Sequence, residues 1–282
     1  MNRWNKFYQN IRDPSWPECA NEHEFHNLPA AIKKEILTTH NSANYLALSE
    51  LDIIDNIFSE NDFYQSKNYQ EFNLTFPVAN DFFVFYNETL EGGGIEVGQY
   101  FPMILKFLYP NRVFTNCLEW CSGHGVIGFR LLADGVCENL HFLEMHKPAI
   151  DACVKTIQHM PDRFIGKVSY THAATLKNLS KNIKFDLVVS NPPNFPGKFT
   201  AKLFDIPRNH LTRITVDKEW QAHQDFFTNI VKHLTEDGII LLQEVYHIDE
   251  YAEMISSAGL KIKKMFAIKH QPSPWYLELT HK

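Results

Sequence analysis

The sequence predicts an α/β protein: a mostly parallel sheet with an antiparallel last strand, preceded by a β-hairpin and a small helical N-terminal domain. Three observations predict it. From Val113 onward, short apolar runs alternate with helical-period segments, the pattern of βαβ units. The last two apolar runs, 262–268 and 275–281, are too close together to hold a crossover helix, so they pair as a hairpin. The first run of the sheet ends in LEWCSGHGVIG, Leu118 to Gly128, a glycine-containing strand-to-helix turn.

The elements follow in order. Leu28 to Leu37 reads as a helix opened by Pro29, and Ala43 to Phe58 as a second, with Leu46, Leu48, Leu51, Ile54 and Ile57 near helical spacing. At 71–78 and 82–90 the period changes to that of a hairpin linked by Ala79-Asn80-Asp81. Gly92 to Gly94 form a linker, and a helical pattern resumes at 97–108. Strands are expected at 113–120, 139–144, 167–171, 184–190, 238–245, 262–268 and 275–281, and helices at 126–133, 147–159, 218–234 and 249–258. The chain therefore divides into a helical unit at 1–70, a hairpin and linker at 71–100, and the sheet domain at 101–282.

Composition bounds the function. The 282 residues are 44% hydrophobic and 21% charged, ordinary for a globular protein. No apolar run has the length of a membrane span, and the opening MNRWNKFYQN lacks a signal peptide's apolar core, so a soluble cytoplasmic protein is expected. The five cysteines form no CxxC pair, and His23-Glu24-Phe25-His26 lacks the HExxH spacing, so no metal is expected. The net charge of −6 is uneven. Residues 1–100 hold 15 acids against 6 bases, −9, leaving 18 against 21, +3, for the rest. An acidic N-terminal third is a poor match for a phosphate backbone.

The chemistry gathers at strand ends. Gly123 and Gly125 permit a tight turn with close backbone approach to a ligand. The next strand ends at Glu144, about twenty residues on, where a carboxylate can accept both hydroxyls of a ribose. Both dinucleotide-binding Rossmann domains and S-adenosylmethionine (SAM) methyltransferases share that pair. The fourth strand decides between them, because DLVVSNPPNFPG ends in Asn191-Pro192-Pro193-Asn194. The Asn191 side chain and the Pro192 carbonyl can orient an –NH2 group toward a sulfonium methyl, and two prolines fix that geometry in advance. Hydride transfer has no use for such a cradle.

Ser-Asn-Pro-Pro at a strand end, with Glu119-x-Cys121-x-Gly123-x-Gly125 upstream, resembles the class I methyltransferases that carry an (N/D)PP(Y/F/W) motif. These methylate glutamine amides in release factors and ribosomal proteins, or exocyclic amines of nucleobases. The segment from Glu71 to Leu105 is similar to the hairpin and helix preceding the catalytic domain in the glutamine methyltransferases. The stretch from Leu234 to Leu260 resembles their later strand–helix unit, with Glu244 at an acidic position. The resemblance implies a Rossmann-like class I fold and SAM as cofactor. It implies cofactor contacts from Glu119, Cys121, Gly123, Gly125, Glu144, Ala174, Thr175 and Asn191, and a catalytic turn of Asn191 to Asn194. Residues 1–70 become a substrate-recognition domain. Three positions depart from the pattern. Asn194 stands where an aromatic is usual, with Phe195 the adjacent ring; Ala174 stands where an acid would hold the adenine amino group, with Thr175 beside it; Cys121 replaces the first glycine.

The loop 195–217 carries Lys198, Lys202, Arg208, His210 and Arg213, and Phe195, Arg208 and Arg213 are its substrate-binding candidates. The leading expectation is methyl transfer to a protein glutamine amide. The alternatives are adenine N6 in RNA or DNA, a small molecule or tailored peptide, and a SAM-binding protein without activity. Trp4, Phe7, Tyr8 and Trp16 are expected to pack on the core.

Overall fold

The computed structural model describes residues 74–86, 100–193, 217, 220–244, 248–268 and 271–282. The expected helices at 28–37 and 43–58, the N-terminal aromatics, Asn194, Phe195, Arg208 and Arg213 lie outside the described residues.

Strands β1 (Leu74–Ala79) and β2 (Phe82–Tyr86) form the hairpin, antiparallel across the turn at 80–81. Helix α1 (Tyr100–Leu108) leads to β3 (Phe114–Trp120), α2 (Val126–Ala133), β4 (Cys137–Glu144), α3 (Lys147–His159), β5 (Val168–His172) and β6 (Phe185–Ser190). Then come α4 (Gln221–Ile230), β7 (Leu234–Glu244), α5 (Ile248–Ser257), β8 (Leu260–Ile268) and β9 (Gln271–His281). The seven strands of the main sheet lie in the order β5-β4-β3-β6-β7-β9-β8. All neighbours are parallel except β9, which runs antiparallel to both β7 and β8, as the missing crossover helix requires. This is the Rossmann-like class I methyltransferase fold.

Helices α2 and α3 start and stop where periodicity places them. The departure is at the fourth helix, expected to reach Leu234. It ends at Ile230, a 3₁₀ turn covers Val231–His233, and β7 begins at Leu234. The reason is pairing. Leu234 aligns with Phe185, and the next matched pair is Leu187 with Ile239, so the extra residues on β7 are absorbed as an irregularity containing Gly238.

The core is aromatic on both faces of the sheet. On one, Phe82 of the hairpin and Phe142 of β4 pack edge-on against Phe129 of α2. On that same side Phe101 of α1 meets Tyr276 of β9. On the other face, Trp120 stacks on Phe226 of α4, with ring centroids 4.0 Å apart. The hairpin is tied to α3 where the Phe85 N–H donates to the Thr156 hydroxyl, 2.9 Å. No helix among the described residues is long and apolar enough to cross a membrane, and no metal-binding group of side chains occurs among them.

Candidate active site

The strand order locates the site. From β3 the chain moves outward through β4 to β5, then returns to β6 on the opposite side of β3. The crevice between the carboxyl ends of β3 and β6 is therefore the topological switch point, where open α/β sheets bind ligands. The glycine turn leaves β3 there and the Asn-Pro-Pro turn leaves β6 there. Two motifs about seventy residues apart in sequence become neighbours.

The glycine turn is left-handed at alternate residues: Cys121 (φ 52°), Gly123 (φ 53°) and Gly125 (φ 81°). The glycines answer different demands. A Cβ on Gly125 would come within 2.8 Å of the Phe142 ring and 2.9 Å of Phe129, so Gly125 serves close packing of α2 on the sheet. A Cβ on Gly123 would meet nothing within 4 Å; its open side is where a ligand can approach the backbone. Cys121 takes a conformation that costs an L-residue roughly 1–2 kcal/mol. Packing around its sulfur, with Glu144, Asp217, Glu244 and Glu119 nearby, pushes its thiol well up, so it remains an uncharged S–H.

Glu144, only 8% exposed, closes the turn. Its Oε2 accepts the Gly123 N–H (2.9 Å) and its Oε1 accepts the His146 N–H (2.8 Å). The carboxylate retains acceptor capacity beyond these backbone donors. Burial pushes its carboxyl above the usual carboxylate range, and backbone N–H groups, His146 and Gly123 first among them, oppose that rise. Glu119 has a different place. At 1% exposure it lies beneath α2, where its Oε2 accepts the Gly128 N–H at 2.7 Å, and burial pushes its carboxyl well up. Glu119 thus fastens helix to strand below the turn.

After β5 the chain bends through Ala174 and Thr175. The Thr175 hydroxyl donates to Asp225 of α4, 2.7 and 2.8 Å from its two oxygens, and the Leu176 N–H donates to the same carboxylate at 3.1 Å. Asp225 of α4, fifty residues on from Thr175, thus ties this bend to the helix.

At the end of β6 the Ser190 hydroxyl donates to the Trp120 carbonyl, fastening the Asn-Pro-Pro turn to the strand that carries the glycine turn. Asn191 and Pro193 are half-buried and Pro192 is buried. Sequence reasoning missed two features beside them. Met145, directly after Glu144, is 64% exposed, an apolar side chain standing in solvent at the edge of the crevice. Its signal was only an apolar residue one step past a strand-end acid. The second is a buried ion cluster on the α4 face. His223 Nδ1 lies 2.6 Å from Asp217 Oδ2 and its Nε2 lies 3.3 Å from Glu244 Oε1. Burial alone would hold this imidazole neutral. The charges of Glu244 and Asp217, with their hydrogen bonds, overcome that and push it up to about 9. Asp217 also accepts the N–H groups of Ala222 and His223, anchoring the start of α4. At the glycine turn, Tyr86 of the hairpin stacks on His124, with centroids 5.3 Å apart.

Residues 102–213 match the family described as "Methyltransferase small domain", 112 of the 282 residues. Among solved structures, a ribosomal protein L11 methylase from Lactobacillus delbrueckii subsp. bulgaricus is similar at 13% identity and a TM-score of 0.49, covering 74% of this chain and 98% of its own. The glycopeptide N-methyltransferase MtfA is similar at 12% identity and a TM-score of 0.48, covering 66% and 90%. A SAM-dependent methyltransferase from Clostridium acetobutylicum is similar at 10% identity and a TM-score of 0.45, covering 65% and 91%. No curated protein matches. Residues 102–213, which hold the glycine turn, the strand-end carboxylate of Glu144 and the Asn-Pro-Pro turn, match a methyltransferase small domain.

Proposed function

We propose that the enzyme transfers the methyl group to a planar amide or amine nitrogen, with a protein glutamine side chain as the acceptor. One observation carries this reading: Asn191-Pro192-Pro193 leaves β6 at the switch point, one strand from the glycine turn. SAM supplies an electrophilic methyl group carried on a sulfonium. The Gly123 backbone and the Glu144 carboxylate hold the nucleoside end, and Met145 offers an apolar surface for a base. On the other side of the crevice, the Asn191 side-chain oxygen and the Pro192 carbonyl accept the two N–H bonds of the acceptor. That aims the nitrogen lone pair at the methyl. A nitrogen held there would become acidic as it took the methyl and could release its proton to water, so no strong base is required of the chain.

Asn194, Phe195, Arg208 and Arg213 continue directly from the cradle, and we assign them to acceptor contacts because that loop carries five basic side chains. We assign residues 1–70 to substrate recognition. Their acidity, within the −9 of residues 1–100, favours a protein over a nucleic acid acceptor.

The test is transfer of labelled methyl groups from SAM into fractionated cell extract. Label should enter protein and survive nuclease digestion. Label confined to RNA, DNA or small molecules would reject the glutamine reading. In the same assay Asn191→Ala should lower the rate by on the order of 10²–10³, the usual loss for one oriented transition-state hydrogen bond, without lowering the melting temperature. Full turnover by that variant would refute the cradle itself.

A further inference from the structure

Gln243 is 4% exposed, and its side-chain oxygen has no hydrogen-bond donor among the described residues. A buried amide oxygen left unpaired costs about 1–3 kcal/mol, so it calls for a reason. Its place in the sheet gives one. Leu241, Val189, Glu119 and Phe142 lie side by side across β7, β6, β3 and β4. Cross-strand partners share a face, and so do residues two apart on a strand. Gln243 therefore stands on the face that carries Glu119 and Glu144. Its partner on β9, Tyr276, packs on Phe101 of α1 on that same face.

Height and distance complete the placement. Ser190 pairs with Leu242, so Asn191 comes level with Gln243, each one residue beyond the pair. Counting strand spacings of about 4.8 Å, Asn191 is about 10 Å from Glu144 and Gln243 about 14 Å. Gln243 thus lies one strand beyond Asn191, on the side away from the ribose-binding carboxylate. In the proposed function the acceptor lies on that side and the cofactor on the other.

We infer that Gln243 is an acceptor-binding residue whose amide oxygen takes a second N–H or O–H of the methyl acceptor, about one strand spacing from the nitrogen held at Asn191. The inference rests on the N-methyltransferase reading above and narrows its substrate class. The acceptor carries a second donor near the reacting –NH2, as a peptide does in its backbone N–H. Adenine does not, because the ring nitrogens flanking its amino group, N1 and N7, are acceptors.

Two variants test this. Gln243→Met keeps the volume and removes the hydrogen bond; Gln243→Glu keeps an acceptor and removes the donor. The probe is the extract fraction that the wild-type enzyme labels from methyl-labelled SAM. With Gln243→Met, labelling should fall roughly tenfold to a hundredfold, the size of one hydrogen bond to a partner left unpaired. SAM affinity by calorimetry should be unchanged, and the melting temperature unchanged or higher, because an orphaned polar group is gone. Gln243→Glu should recover most of the rate. Wild-type labelling by Gln243→Met overturns the inference, as does a matching loss of SAM affinity, a lowered melting temperature, or failure of Gln243→Glu to recover. If wild type labels nucleic acid and Gln243→Glu is the worse variant, the amide acts as a donor to a base and both readings fall. If wild type labels protein and Gln243→Met is unimpaired, only this inference falls.

Discussion

Exchanging each turn glycine for alanine separates a ligand-facing backbone from a packed one. Gly123 and Gly125 are both left-handed, at φ 53° and 81°, so alanine carries a similar strain at either, roughly 1–2 kcal/mol. The surroundings then diverge. At Gly125 the new methyl would sit 2.8 Å from Phe142 and 2.9 Å from Phe129, rings that are fully buried and cannot withdraw. Overpacking of that kind adds typically 1–3 kcal/mol. At Gly123 the methyl meets no protein atom within 4 Å. Gly125→Ala should therefore lower the melting temperature by the larger amount, with about 2–4 °C expected per kcal/mol in a protein of this size. Gly123→Ala should cost only a few degrees. SAM affinity should show the reverse order. In the proposed cofactor placement the Gly123 methyl projects toward SAM, so affinity should fall at least tenfold, while folded Gly125→Ala should bind nearly as wild type. Thermal melts and calorimetry on the same preparations give all four quantities. Wild-type SAM affinity in Gly123→Ala would refute the placement of the cofactor.

Two further predictions concern ionisation. Glu144→Gln leaves one of the Gly123 and His146 N–H groups facing an amide NH2, and SAM affinity should fall roughly tenfold to a hundredfold. Because burial raises the Glu144 carboxyl and ribose hydroxyls need its ionised form, wild-type affinity should rise with pH as the group loses its proton; Glu144→Gln should lose that dependence in calorimetric titrations. His223 works in the opposite sense. Raised to about 9 from an unfolded 6.5, it contributes stability that is full below pH 6.5 and is lost as pH climbs through 9. That amounts to about 3 kcal/mol, and urea unfolding should show His223→Phe with a flatter slope over that window. A wild-type slope in that variant would remove His223 as its source.

Alternation of apolar runs and helical segments was enough to read the seven strands, because the central strands β3, β4, β6 and β7 each carry a continuous buried run of four or more residues. The start of β7 was not readable. Its first residues, Leu234-Thr235-Glu236-Asp237-Gly238, carry turn composition, and only pairing of Leu234 with Phe185 makes them strand. At the site, the glycines, Glu144 and the Asn-Pro-Pro turn were legible because each is a local pattern at a strand end. Asp225, Asp217 and His223 were not, because their meaning depends on α4 folding back over the sheet. Glu119 was read as a cofactor residue from its place in the glycine motif. Its side chain instead lies under Gly128, and only the pleat of β3 could have revealed that.

In the proposed function the two sides of the crevice use different chemistry, and methyl transfer explains the division. On the ribose side stands a carboxylate, Glu144, suited to accept hydroxyl protons and distant from the methyl by about two strand spacings, roughly 10 Å. On the acceptor side stand neutral carbonyls: Asn191, the Pro192 backbone and Gln243. A carboxylate in direct contact with the sulfonium methyl, at position 191, would itself be a nucleophile, and its charge would bind the positive cofactor in the ground state more than in the transition state, where that charge is dispersing. That is binding energy spent without gain in rate. An amide oxygen orients an N–H without either liability. Gln243, one strand farther from the methyl, escapes that constraint. Glu244, the acid closest to Gln243 in sequence, turns to the opposite face, where His223 engages its charge. The alternation of β7 thus turns Gln243 toward the Glu119 face and Glu244 toward His223.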